Sequence, residues 1–302
     1  MTGIIAFLWI CLLVALASAK VTLQGRVSRA YFQNSQDPVF FNGILFLGIS
    51  VSIALFFPVV LPDTSMLLWA LAVSGFTFTF QTCYALAIAS GPVSLTVLIT
   101  TFSQFINIAS GMIMYNEKIY LTQLVGVVFM LLSMFLNLKI DKNQKNVSVK
   151  WIVLSLTAML ACAVANILQK HYGKLNVGVD GADTTFLSLI YLSASILAFL
   201  FYALRRSTGN HPKATMKIGK TVLLYALAIA VMLAVYQKCY MVALVEIDSA
   251  VLFPSQNGMQ SLVMTFVGVL FFKDRLSLRQ WLGIACGILC VLLMNLSFGP
   301  AF

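Results

Sequence analysis

Two short stretches, Phe80-Gln81-Thr82-Cys83-Tyr84 and Tyr236-Gln237-Lys238-Cys239-Tyr240, decide how this chain is organised. They stand 156 positions apart, each inside a long apolar run. At the same spacing Gln104 aligns with Gln260, each near the middle of its run. Further on, Gln123 aligns with Gln280 and Gly126 with Gly283; earlier, Gln24 aligns with Gln169 and Phe41 with Phe186. Single matches are cheap in apolar sequence. An ordered series of polar matches through both halves marks an internal repeat.

Apolar runs of about 20 residues can cross a bilayer. Working outward from the two stretches, ten runs are expected as spans: 3–30, 39–61, 65–89, 93–115, 120–138, 149–171, 184–204, 218–245, 249–272 and 278–298. Their length and the lack of two-residue alternation point to helices, not a barrel. The expected fold is an all-α membrane protein, ten transmembrane helices as two five-helix repeats over 1–140 and 146–302. Five is odd, so the second repeat enters the membrane in the opposite sense. That is an inverted-topology repeat, common in secondary transporters.

Composition agrees. Of 302 residues, 61% are hydrophobic and 9% charged, and the mean hydropathy is +0.96. A soluble fold of this length needs far more polar surface. The net charge of +10 sits in short loops, so it reads as topology control and headgroup contact, with no nucleic-acid partner. Lys and Arg gather at Arg26, Arg29, 139–150, 205–220 and 273–279; the opposite loops hold Lys118, Lys170 and Lys174. The first set is expected to be cytoplasmic, with both termini outside. The expected location is the plasma (inner) membrane, multi-pass, as a monomer or homodimer. No basic residue precedes the apolar run from Ile4, which reads as a first span rather than a leader. All six cysteines lie in apolar runs; Cys286 and Cys290 share a helix face, but no His or carboxylate sits near them. Neither a disulfide framework, nor a metal site, nor a cofactor is expected. Asn146-Val147-Ser148 and Asn295-Leu296-Ser297 fit the glycosylation tripeptide, the first on the side read as cytoplasmic.

Before the last helix of each half comes a shared pattern: Tyr115-Asn116-Glu117-Lys118 through Thr122-Gln123 to Gly126, and Phe272-Lys273-Asp274-Arg275 through Ser277 and Gln280 to Gly283. It resembles the EamA-type repeat of the drug/metabolite transporter superfamily, over nearly the whole chain. The resemblance implies a secondary transporter with alternating access. Export of an amino-acid-like solute is the first expectation and nutrient uptake the second; a channel or scaffold is the rival class. Small four-helix relatives carry a glutamate in their first span, where this chain has Lys20 and Gln24. On physical grounds Glu117 and Asp274 favour a helix start, Thr122 or Ser277 can cap it, and the two glycines permit close helix approach.

Polar side chains in hydrocarbon are costly unless paired or facing a cavity. The candidate substrate-binding residues are therefore Gln104 and Gln260 first, then Gln81, Tyr84, Gln237 and Tyr240, with Lys238 and Asn257. Glutamine and tyrosine both donate and accept, which suits a neutral or zwitterionic solute. Lys238 could draw a carboxylate or phosphate, snorkel, or pair with Glu246 or Asp248. Lys20 could likewise snorkel or sit in the cavity, with snorkelling the first expectation. Pro254 is expected to break its helix near the midplane. Trp9, Trp69, Trp151 and Trp281 read as an interfacial belt. No Ser/His/Asp set, HExxH or nucleotide loop is present, and no catalytic residue is expected.

Overall fold

The computed structural model describes residues 3–31, 37–137, 148–207, 219–272 and 277–294. The lysines of 139–145, Asp274-Arg275, Asn146 and Asn295 lie outside them. The described residues form α1 (Gly3–Tyr31), α2 (Asp37–Phe56), α3 (Thr64–Ser90), α4 (Val93–Thr101), α5 (Ser103–Tyr115), α6 (Leu121–Asn137), α7 (Val149–Leu175), α8 (Ala182–Ser207), α9 (Lys220–Glu246), α10 (Ser249–Phe272) and α11 (Leu278–Met294). Helices occupy all ten expected runs. Among the described residues, seven stretches are long and apolar enough to cross a membrane: α1, α2, α3, α4 with α5, α7, α8 and α9. α6 and α11 are also apolar, with 17 described residues each. The outer surface carries bare aliphatic side chains, such as Ile4, Leu55 and Ile113 at 75% exposure or more, as a lipid-facing surface requires.

The expected break at Pro254 is not found, because α10 runs through it. The discontinuity lies instead at Phe102, between α4 and α5. Its cause is local. Thr96, Thr100 and Thr101 each turn their hydroxyl back onto carbonyls of the preceding turn, and the Phe102 amide closes onto Ile99. Such back-bonding bends helices.

Successive crossings alternate in direction, α4 and α5 counting as one, which fixes two ends of the bundle. At one end Trp151 Nε1 donates to Thr96 Oγ1 (2.8 Å), and Phe40 packs on Phe199 and Tyr202. Arg26, Lys150, Arg205, Lys220 and Arg279 lie towards this end, here termed the basic end. At the far end Trp9 Nε1 donates to the Cys239 carbonyl (2.8 Å), and Tyr115 shares a 3.1 Å hydrogen bond with His171. Trp9 and Trp151 thus pack between helices, and Trp151 is only 3% exposed, unlike the belt expected for them.

The first and second halves of the chain pack closely on one another. α3 lies against α7 and α8; α9 lies against α1 and α2. α2 packs on α8 and α6 on α11. The main core gathers Phe41, Ile49 and Ile53 of α2 with Phe186 and Ile190 of α8 and Ile229 of α9. Lipid offers little hydrophobic drive for helices to associate, so close contact and hydrogen bonding supply it. Between α6 and α11, Ser133 Oγ donates to the Gly283 carbonyl (2.7 Å). A Cβ on Gly126 would come within 2.5 Å of the Met294 methyl.

Candidate functional site

A cavity of about 550 Å³ opens among α1, α2, α3, α4, α5, α7 and α10. Gln104, Cys162, Asn257 and Gln260 line it at mid-depth, and Gln24 and Pro38 line it towards the basic end. Five expected residues meet here: Gln81 and Tyr84 from α3, Gln104 from α5, Asn257 and Gln260 from α10. The first three come from one half of the chain and the last two from the other. The Phe102 break positions Ser103 and Gln104 on the wall, at the first residues of α5. Gln104 Oε1 is buried with no hydrogen-bond partner among the described residues. Asn257 gives its amide hydrogen to the Phe253 carbonyl one turn back (2.8 Å), which leaves its oxygen for other contacts.

Lys20 and Gln24 also line the cavity, together with Asn42, Thr100 and Thr101. Lys20 lines the cavity, one of the two places the sequence left open for it. The signal was present in the sequence, as two polar interruptions one turn apart in the first apolar run. Asn42 and the threonines gave none, being ordinary helix residues until their neighbours are known.

The structure does not bring Gln237, Lys238 or Tyr240 to this cavity. Lys238 forms an ion pair with Asp183, in the first turn of α8 beside α9, not with Glu246 or Asp248. Tyr240 is 9% exposed and donates to Asn166 Oδ1 (3.3 Å). It stacks on Tyr236, whose hydroxyl accepts from Gln256 Nε2 (2.9 Å). Gln237, half-buried, sits between Tyr236 and Lys238 on α9. These groups close the bundle between the cavity and the far end.

Beyond them lies a buried ion pair that sequence reading missed. Glu117 and Lys170 side chains are each 4% exposed and pair with one another. Lys170 Nζ also donates to Ser249 Oγ (2.7 Å), and Glu117 Oε2 accepts from the Ser249 amide (2.7 Å). Glu117 does serve a helix start, but that of α10 rather than α6. The reason is distance along the chain: it lies four residues before α6, while α10 begins directly against it. The α6 and α11 starts are served by the shared glutamines. Gln123 Oε1 accepts from the Tyr120 amide and Gln280 Oε1 from the Ser277 amide, both at 3.0 Å. Each reaches back three residues to an orphan donor, as in a capping box. Asp248, in the turn before α10, has its carboxyl held above the usual carboxylate range. Partial desolvation is the main cause and the Glu117 charge the second, against the pull of Lys170 and Lys174.

Residues 149–296 match the sequence model of the EamA-like transporter family. The second half of the chain thus carries the sequence of that family. The EamA-like family is part of the drug/metabolite transporter superfamily, whose members are transporters rather than enzymes. With its apolar helices, the EamA-like assignment makes this a multi-pass integral membrane protein. A protein of known crystal structure is similar to it with a TM-score of 0.73, covering 95% of each chain at 13% identity. At that identity the likeness speaks for the fold. No curated protein matches the sequence.

Proposed function

We propose that this EamA-like protein is a secondary carrier for a small polar metabolite, working by alternating access between two inverted five-helix halves. The observation that carries the reading is the cavity. Polar residues from both halves converge at mid-depth in a space of about 550 Å³, within the range of small-molecule sites. The conformation is open towards the basic end and closed towards the far end by Tyr236, Tyr240, Asn166 and Gln256. With the basic end cytoplasmic, it corresponds to the inward-facing state. Export of an amino-acid-like solute is the direction we favour.

The inverted relation gives the residues outside the cavity a role. Gln81 and Tyr84 align with Gln237 and Tyr240. In an inverted repeat the first pair lines the path in one state and the second pair lines it in the other. Gln104 and Gln260, at mid-depth, serve both states. α6 and α11 then complete the ten crossings, with local thinning of the bilayer accommodating a short hydrophobic stretch.

The test is a thermal-shift screen of the purified protein against amino acids, nucleosides, amines and sugar phosphates. A ligand of the folded state raises the melting temperature by mass action. The expected hit is lost in Gln104→Ala and Gln260→Ala. A hit that both variants retain would place the solute elsewhere and sink the cavity as the site.

A further inference from the structure

We infer that the cavity takes a solute bearing an anionic group, a carboxylate or a phosphate, which Lys20 holds. This rests on the reading of the cavity as the solute site. The argument is an inventory of charge. Among the described lysines, Lys20, Lys170 and Lys238 are those not exposed. Lys170 is matched by Glu117 and Lys238 by Asp183. Lys20 has no hydrogen-bond or ion-pair partner among the described residues, and it lines the cavity.

The wall offers nothing to neutralise it. The lining holds no Asp or Glu. Asp37, one residue before the lining Pro38, is fully buried and already engaged. An ammonium held away from bulk water is costly without a counter-charge, and the protein supplies one to buried Lys170 and another to half-buried Lys238. Lining the same cavity as Lys20 are four neutral amides, Gln24, Gln81, Gln104 and Gln260, each able to donate through its NH₂ group and to accept through its oxygen. One cation among amide donors is a cradle for an anion. An amino acid offers its carboxylate and a sugar phosphate its phosphoryl oxygens. The amides then read the uncharged part of the solute. This goes beyond the neutral or zwitterionic solute that the glutamines alone suggested.

Cys162 lines the same cavity and provides a reporter that needs no knowledge of the substrate. In the full chain with the other five cysteines replaced by alanine, Cys162 is modified with an anionic and with a cationic methanethiosulfonate. The expected ratio of anionic to cationic rate falls on the order of tenfold in Lys20→Met and is kept in Lys20→Arg. A ratio unmoved by Lys20→Met overturns the anion assignment and leaves the cavity standing. If neither Cys162 nor an Asn42→Cys reporter reacts, the cavity reading fails first and this inference with it. Gluconate, glucose 6-phosphate and glucose then separate the two anion sources by thermal shift. The anionic sugar that stabilises the wild type more than glucose, and loses that margin in Lys20→Met, identifies carboxylate or phosphate. Equal stabilisation by all three contradicts the assignment.

Discussion

Ser50 and Ser195 each reach across to the other's helix: Ser50 Oγ donates to the Ser188 carbonyl and Ser195 Oγ to the Gly43 carbonyl, both at 2.8 Å. The two serines are 145 positions apart, and so are Gly43 and Ser188. Phe41 and Phe186, both fully buried in the α2–α8 core, keep the same spacing. Two hydrogen bonds that exchange places under one shift are what a two-fold axis between α2 and α8 produces, and they support the proposed inverted repeat. Ser50→Ala and Ser195→Ala are therefore expected to cost similar stability, about 0.6 to 1 kcal/mol each, in reversible unfolding from detergent. Costs differing by more than about 2 kcal/mol would argue against equivalence.

The Glu117–Lys170 pair behaves as one unit. Glu117→Gln or Lys170→Met alone strands a buried charge and is expected to cost about 3 to 5 kcal/mol. The double variant should recover a large part of either loss. Gly111→Ala attacks the same place sterically, since its Cβ would fall 2.2 Å from Glu117 Oε2 and 2.9 Å from Ser249 Oγ. Melting temperatures of the four variants check this, and strictly additive losses would deny the coupling.

Lys238 and Asp183 differ from that pair in exposure, at 28% and 27% of their side chains. Pairs so open to solvent contribute about 1 kcal/mol or less. The double variant Asp183→Asn/Lys238→Met is expected to melt close to the wild type. Its effect should appear in conformation: loosening the far end favours the outward-facing state, so modification of Cys162 from the basic end slows. A normal labelling rate together with a sharply lower melting temperature would make the pair purely structural.

Asp248 gives a pH signature. Its carboxyl titrates above the usual range in the folded protein, so ionisation is disfavoured relative to the unfolded chain. For a raised acid, the stability contribution is fully present below the unfolded value and is lost as pH rises through the folded one. Asp248→Asn should therefore raise the melting temperature at pH 7 and leave it unchanged near pH 3. An equal gain at both values would point to a steric cause.

Much of this was legible in the residues, for physical reasons. Hydrocarbon leaves polar side chains few alternatives, so Gln81, Tyr84, Gln104, Asn257 and Gln260 announced themselves, and the structure gathers them. Lys238 announced itself equally, yet it meets Asp183, because a charge in an apolar run signals need of a partner without saying which. Glu117 looked like a cap for the helix that follows it. Only the packing of α10 against that turn reveals what it caps. The break fell at Phe102 rather than Pro254 because three threonine hydroxyls compete for backbone carbonyls, while a helix tolerates one proline. The last residues of the spans read at 120–138 and 278–298 lie outside the described residues.

The stacked tyrosines, the Gln256 amide and the Glu117–Lys170 pair lie one behind another between the cavity and the far end. Water or an ion entering from the basic end meets these paired groups before it reaches the far end. The consequence is electrical. A membrane holding this protein at rest should keep its potential and proton gradient, and planar bilayers should show no unitary currents. Movement of charge would then be tied to turnover, one solute at a time.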